Sequence, residues 1–492
     1  MYEKNIGTKQ KALRINLDRR IYGSFAEIGA GQETAAMFFK AGGSSGTIAK
    51  TMSAYDMTFS DSIYGVEESG RYVVESRLVK MLSKEYSLLE KRLAEKRGPD
   101  TTFFAFANTV VALNYQKTNE AHGWLGCRFQ LNPQSGYNDV IIHVRMIDNE
   151  NILQQQALGI IGVNLIYGCY YYAKSPETLV LSLMDDLAPE RIQIDMIRFN
   201  GPDFSDVDNR LMSLHLVKNG FTDAALFGAD GQVLQPSEAL YKKHILVMRG
   251  RLRPVTNVQM DMIENGLKQF KDEPDVDSSR VISMAELTLH NLKANEQGID
   301  EKDFLDRVDI LCSMGQTVMI SNYLEYYKLV AYLARLTRLK IGLIVGIPNL
   351  EYIFEEGHYE FLPGGILESF ATLFSRKVKL FVYPTLKEGA IYTCNEFKLP
   401  ATLEPLFQYL VRNDKIEDIT DYNEQNLHIS TDHVLEMIQL GEDGWENMVP
   451  ARVAEQIKAN CLFGYPCEVE YVPIGQQVRQ QQEQVEEQTT SR

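Results

Sequence analysis

Apolar positions along this chain change rhythm several times, and each change marks a different element. From Ser76 to Gly98 the stretch "SRLVKMLSKEYSLLEKRLAEKRG" repeats apolar residues at helical spacing with charges on the other face. That pattern predicts a long amphipathic helix closed by Gly98. After Thr101 the rhythm shortens to β-prone runs, "FFAFANTVV", "GCRFQL" and "DVIIHVRMI", parted by turn-rich segments such as "NPQSGYND", and these predict a sheet. The most apolar run, "ALGIIGVNLIYGCYYYA" from Ala157 to Ala173, falls short of the roughly 20 residues that span a bilayer and carries Asn164 near its middle. It reads as a buried helix.

Strand and helix patterns then alternate. "RIQIDMIRF" reads as a strand and "SDVDNRLMSLHLVKNG" as a helix with Ser205 near its start and Gly220 just past its end. Val207, Leu211, Leu214 and Val217 supply that helix's apolar stripe. "DAALFG" and "HILVMRGRLRPV" read as strands, and "VQMDMIENGLKQF" as a helix. Beyond the polar segment Lys271 to Arg280 the alternation resumes with "QTVMIS", "YLEYYKLVAYLARL", "LKIGLIVGI", two helical stretches around "LPGG", and "VKLFVYP". Near-continuous apolar strands separated by helices predict an α/β fold: two mostly parallel-sheet domains facing each other across a cleft, with an N-terminal glycine-rich segment. The expected division is residues 1–270, residues 281–472, and a tail, 473–492, whose lack of apolar residues predicts disorder.

Composition narrows the functional classes. The 492 residues include 66 acidic and 50 basic side chains, a formal charge of -16, which disfavours general nucleic-acid binding and anionic membrane surfaces. The six cysteines, Cys127, Cys169, Cys312, Cys394, Cys461 and Cys467, form no C-x-x-C pair and are expected as buried thiols in a reducing compartment. The polar N-terminus lacks the apolar core of a secretory signal, so a cytoplasmic location is expected.

Candidate chemistry concentrates in "FAEIGAGQETAAMFFKAGGSSGTIAKTMSAYD", Phe25 to Asp56. Gly29 and Gly31 fall where a strand feeds a helix N-terminus, a place where backbone amides hold anions. Gly42, Gly43, Ser44, Ser45, Gly46, Thr47 and Lys50 combine close backbone approach, hydroxyls and an ammonium, all suited to phosphate oxygens. The competing reading is a helix C-cap followed by a turn. The segment is not a Walker A loop, because Ala49 stands where that motif needs glycine. Asp56 and Asp61 are candidates for a metal such as Mg2+ bridging a phosphate, or for helix caps. Arg249, Arg251 and Arg253 in "RGRLRPVT" form an alternative anion site, with strand-like alternation aiming all three to one face, against the plainer reading of a solvated edge strand. "GHYEFLPGG" and "ISNYLEYY" stand where α/β proteins place ligand loops. The eight histidines include no H-E-x-x-H, and His143 reads as a core residue of its strand.

Seven segments, "RRIYGSFAEIGAGQETAAMFFKAGGSSGTIAKTMSAYDM", "HGWLGCRFQ", "LGIIGVNLIYG", "VDNRLMSLHLVKNG", "VLQPSEALYKK", "MISNYLEYYKLVAYL" and "LPGGILESF", resemble a family of large uncharacterised bacterial and plastid proteins over about residues 10–465. Its members carry conflicting automatic names, nicotinate-nucleotide adenylyltransferase and TonB-dependent receptor among them. The receptor name implies a signal sequence and alternating lipid-facing strands, which this sequence lacks. The adenylyltransferase name implies ATP, magnesium and a mononucleotide, held by H-x-G-H and I-S-S-T-x-x-R motifs. The nearest fragments here, "AHGWLG" and "ISNYLEY", lack the second histidine and the basic residue. The expectation is a protein binding a small phosphorylated ligand or nucleotide, as a nucleotidyl or phosphoryl transferase; the alternative is a noncatalytic scaffold or regulatory protein.

Overall fold

The computed structural model describes residues 6–295, 298–374 and 377–467, so the expected tail, 473–492, lies outside the described residues. Two large sheets organise the chain, as the alternation predicts. The first takes β1 (Ile21–Gly29), β2 (Ile48–Ala54), β3 (Thr102–Val111), β4 (His122–Phe129), β5 (Asn138–Met146) and β6 (Ile192–Asn200), in the order β2-β1-β3-β4-β5-β6. β1 pairs in parallel with both β2 and β3, whereas β3 to β6 run antiparallel. The chemistry of the connectors decides this: parallel neighbours need a crossover, and turn-rich links such as "NPQSGYND" suffice only for antiparallel ones.

Helices α1 (Thr8–Leu17), α2 (Glu33–Ala41) and α5 (Asn151–Tyr171) share an apolar cluster on one face of this sheet, and α3 (Met57–Tyr64) with α4 (Glu75–Arg97) contributes to a second cluster on the other. α4 ends at Gly98 as its pattern predicts. α5 is the run around Asn164 and is buried along most of its length. No helix among the described residues is long and apolar enough to cross a membrane. Close packing explains its glycines: a Cβ at Gly162 would stand 2.3 Å from Thr34 Oγ1 of α2. Asn164 is satisfied by accepting from Lys11 Nζ at 2.8 Å and donating to the carbonyls of Leu183 and Asp185.

After α6 (Pro176–Ser182), α7 (Asn209–Lys218) packs between the two halves. Leu214 and Val217 face one apolar cluster, and Met212 and Leu216 face another, so the helix is apolar on two sides and not on the single predicted stripe. It starts at Asn209 and not near Ser205, because the Asp208 carboxylate accepts from Arg210 N–H at 2.8 Å and caps it, after a 3-10 turn at Pro202–Phe204.

The second sheet uses β7 (Ala224–Phe227), β8 (Val233–Leu234), β9 (His244–Arg249), β10 (Val281–Thr288), β13 (Thr317–Ser321), β14 (Ile341–Gly346), β15 (Val378–Tyr383) and β18 (Ile416–Asp418); small hairpins β11–β12 (Lys293–Asn295, Gly298–Ile299) and β16–β17 (Thr385–Lys387, Ala390–Tyr392) stand apart. Its order is β18-β15-β14-β9-β10-β13-β7-β8, parallel from β18 to β13 and antiparallel at β7 and β8. After the short α8 (Pro236–Ala239), α9 (Asn257–Lys271), α10 (Leu289–Leu292) and α11 (Glu301–Ser313) share one apolar cluster, while α12 (Tyr326–Leu336) and α13 (Ile347–Ile353) belong to another on the opposite face. Taken in chain order, the six parallel strands are arranged 3-2-1-4-5-6, the doubly wound order whose connections change direction and face between β9 and β14.

Three sequence expectations change here. β9 is a central strand and not an edge, and it stops at Arg249, so Arg251 and Arg253 leave the strand alternation and stand on the loop that follows. Residues 271–280, expected to link two folding units, join α9 to β10 inside this one sheet, where β9 and β10 are hydrogen-bonded neighbours. Ion pairs hold that segment down: Glu273 meets Lys340 and Lys379, and Asp275 meets Lys340. Cys461 and Cys467 form a disulfide across six positions, whereas Cys127 and Cys169 are buried free thiols and Cys312 and Cys394 are half-buried ones.

Candidate functional site

The glycine-rich segment forms the predicted strand–turn–helix, and the helix end that invites an anion already has one. Thr34 and Ala35, in the first turn of α2, donate their N–H groups to the buried Glu27 carboxylate at 3.1 and 3.4 Å. Asn108 Nδ2, on the neighbouring strand, donates to Glu27 Oε1 at 3.4 Å and to the Gly31 carbonyl at 2.8 Å. Burial pushes the Glu27 carboxyl up to about 7, against the downward pull of these donors.

The turn from Gly42 to Lys50 closes the opposite end of α2, where the exposed groups are carbonyl oxygens. Gly42 and Gly43 have φ of 89° and 74°, the left-handed side that favours glycine, and Ser44, Ser45 and Gly46 make a 3-10 turn. Asn16 Nδ2 donates to the Phe38 and Gly42 carbonyls, and the buried Thr47 hydroxyl donates to the Asn16 carbonyl at 3.2 Å. Lys50 pairs with the buried Glu85, which also accepts from Tyr64 Oη at 2.9 Å. Asp56 caps α3 through Phe59 N–H at 2.7 Å. Asp61 accepts from Arg77 Nη2 and, at 2.7 Å, from Tyr72 Oη. Thr47, Lys50, Asp56 and Asp61 are each engaged by the fold itself.

The alternative arginines lie in a different setting. At the C-terminal ends of β9 and β14, where the doubly wound order reverses, lies a cleft of about 590 Å³, and a smaller one of about 410 Å³ adjoins it beyond the ends of β10 and β13. Arg249, Arg251 and Arg253 line the larger cleft, with Tyr326, Pro348 and Tyr352 as apolar and aromatic walls and Thr288, His290 and Asn349 as polar ones. Arg249 is buried and committed: it grips Glu286 through Nε and Nη2 at 2.8 and 2.9 Å, donates to the Leu324 carbonyl at 2.7 Å, and stands 4.4 Å from the Tyr326 ring centroid. Ser321, at the end of β13, donates to the same Glu286 at 2.6 Å. Arg253 pairs with Asp303, which also holds the buried Arg307.

Arg307 in turn donates to the Arg251 and Asn291 carbonyls at 3.1 and 2.9 Å. This fixes a loop in which Leu252, a buried non-glycine residue, adopts φ of 49°. Arg251 is the available cation. It is 56% exposed, and its contact, Asp432 at 3.1 Å, is 78% exposed, so the pair is weak and open to exchange. The Tyr326 hydroxyl is buried without a hydrogen-bond partner, and burial pushes its ionisation upward, which leaves it a neutral donor. "RGRLRPVT" lacks the glycine spacing of a dinucleotide-binding turn, so side chains and not a backbone nest offer the positive charge. "ISNYLEYY" contributes Leu324 and Tyr326, as its position after a strand predicts.

A second polar network was legible only in part. His143 is buried, as expected of a core histidine, but it belongs to a chain of groups across three strands. Its Nδ1 stands 2.5 Å from Asp195 Oδ1, and its Nε2 stands 3.0 Å from His122 Nδ1. A bulge between His143 and Val144 leaves Asp195 without a strand partner and aims it at the imidazole. Burial, then the neighbouring His143, pushes His122 down to about 4, so it is neutral at pH 7. Nothing in the local sequence signals this arrangement, because it depends on register between strands more than 50 residues apart.

No family model and no curated protein matches the chain. Among solved structures, it is similar to the competence/damage inducible protein CihA from Agrobacterium tumefaciens, at 18% identity over 32% of this chain and 88% of that one, with a TM-score of 0.22. It is also similar to the nicotinic acid mononucleotide adenylyltransferase of Plasmodium falciparum complexed with APC, at 9% identity over 46% of this chain and 98% of that one, with a TM-score of 0.30. A CinA superfamily protein from Enterobacter cloacae matches at 11% identity over 34% of this chain and 92% of that one, with a TM-score of 0.24. All three likenesses are partial, and none superposes closely.

Proposed function

We propose that the protein binds a small anionic ligand of the phosphorylated or nucleotide class in the cleft between the ends of β9 and β14. The observation that supports this most is the coincidence of three arginines, Arg249 at the end of β9 and Arg251 and Arg253 on the loop that follows, with the reversal point of a doubly wound sheet, where such sheets bind ligands. Arg251 exchanges its exposed partner Asp432 for the anion, Arg253 adds charge beside it, and Arg249 holds the floor of the cleft. Tyr326, Tyr352 and Pro348 give an apolar wall for a base or sugar. The finer proposal, nucleotidyl or phosphoryl transfer, assigns Arg251 and Arg253 to charge developing on the transferred group. A divalent ion for that reaction arrives with the nucleotide, because Asp432 is the one carboxylate among the described residues of the cleft lining.

A thermal-shift panel of nucleotides, pyrophosphate and sugar phosphates, each with and without Mg2+, tests the reading. At least one phosphorylated compound should raise the melting temperature of the wild type and not of Arg251→Gln. A panel in which both proteins respond alike, or neither responds, points instead to a noncatalytic scaffold.

A further inference from the structure

His215 is one of the buried residues of α7, and its Nε2 is fully enclosed with no hydrogen-bond partner. A buried imidazole nitrogen left without a partner is costly, so the groups it faces are informative. Two carboxylates from other helices stand there: Glu301 Oε1, from the first residue of α11, at 3.4 Å, and Glu177 Oε1, from the first turn of α6, at 3.8 Å. One ligand atom from each of the three residues lies within 4.8 Å of the other two. Bonds of about 2.1 Å at tetrahedral angles place neighbouring ligand atoms about 3.4 Å apart; His215 Nε2 stands at 3.4 Å from Glu301 and 3.8 Å from Glu177, so only the exposed Glu177 has to move inward to complete that spacing.

We propose that Glu177, His215 and Glu301 form a binding site for a divalent transition-metal ion of the zinc class. One imidazole and two carboxylates suit Zn2+ and its first-row neighbours better than Mg2+, which prefers oxygen ligands alone. Glu177 is 61% exposed, so the ion reaches the site from solvent and keeps water in its remaining positions. The three ligands belong to α6, α7 and α11, and α11 packs on β13 of the second sheet. A bound ion therefore ties the helices that cover the first sheet to one that covers the second. Without an ion the same three groups make only a loose contact between a buried histidine and two acids.

Calorimetric titration of the chelator-treated full chain with Zn2+ alone tests the site. The wild type should take up one equivalent, gain thermal stability, and give visible d–d absorption when Co2+ replaces Zn2+. His215→Gln and Glu177→Gln should each weaken that equivalent at least tenfold and abolish the Co2+ spectrum. Glu177 is exposed, so its variant remains decisive where His215→Gln fails to fold. Absence of a stoichiometric event in the wild type, retention of it in Glu177→Gln, or displacement of Zn2+ by equimolar Mg2+ would overturn the assignment.

Discussion

Glu27 shows how a single side chain can occupy the place that a motif offers a ligand. The short "EIGAG" contains both the acid and the turn that folds the α2 N-terminus back onto it, yet only the fold shows that the anion is the protein's own. Its ionisation sets a pH dependence. The folded carboxyl titrates near 7 and the unfolded one near 4.5, so the native state holds more protons between those values and loses stability as pH rises through that window. Glu27→Gln cannot ionise, so its melting temperature relative to wild type should climb steadily from pH 4.5 to 7.5; a flat difference would refute the shifted carboxyl. Lys50 makes the complementary case. Its charge compensates Glu85, which is only 3% exposed, so Lys50→Ala should destabilise the chain by about 1–3 kcal/mol in denaturant unfolding, through a buried carboxylate oxygen left unpaired.

At the scale of elements, the loop after β9 separates structural from ligand-facing charge. Arg249 and Glu286 are enclosed together, so Arg249→Met should cost about 3–5 kcal/mol by leaving the buried Glu286 without its counter-charge, with only the Ser321 hydroxyl donating to it, and adding Glu286→Met should recover most of that loss. Equal destabilisation of the single and double variants would contradict the pairing. Helices α4 and α9 were legible in the sequence from their apolar period, α5 from its length and continuous apolarity, and most strands of both sheets from short β-prone runs; β2, β8, the central β10 and β18 were not read as strands. What was not legible is which strands become neighbours. β9 looks like an edge strand while "RGRLRPVT" is read as one alternating run, and it becomes central only once β14 returns to its other side. The arginines could therefore be named from the sequence, whereas the cleft that gathers two of them on a strained loop could not.

On the scale of the whole molecule, the two sheets share one continuous apolar cluster that runs from α4 and Trp124 through α7 to Met248 and Phe381. Strands on both sides of residues 271–280 belong to one sheet, so a fragment beginning at residue 276 lacks β7, β8 and the central β9 and should be insoluble on expression. Recovery of that fragment as a cooperatively melting monomer would place a folding boundary there after all. The net charge of -16 repels anions at long range, so a phosphorylated ligand must be won locally, by the guanidinium groups at the reversal point. Calorimetric titration of ATP, with Mg2+ present, into wild type and Arg251→Gln tests that claim most directly. One site is expected in the wild type, with affinity lowered at least tenfold in the variant for loss of one charge-assisted contact to the ligand of about 1.5–3 kcal/mol, and the same melting temperature for both ligand-free proteins, because the Arg251–Asp432 pair is exposed and weak. Equal affinities in the two proteins, or no binding to the wild type, would contradict it.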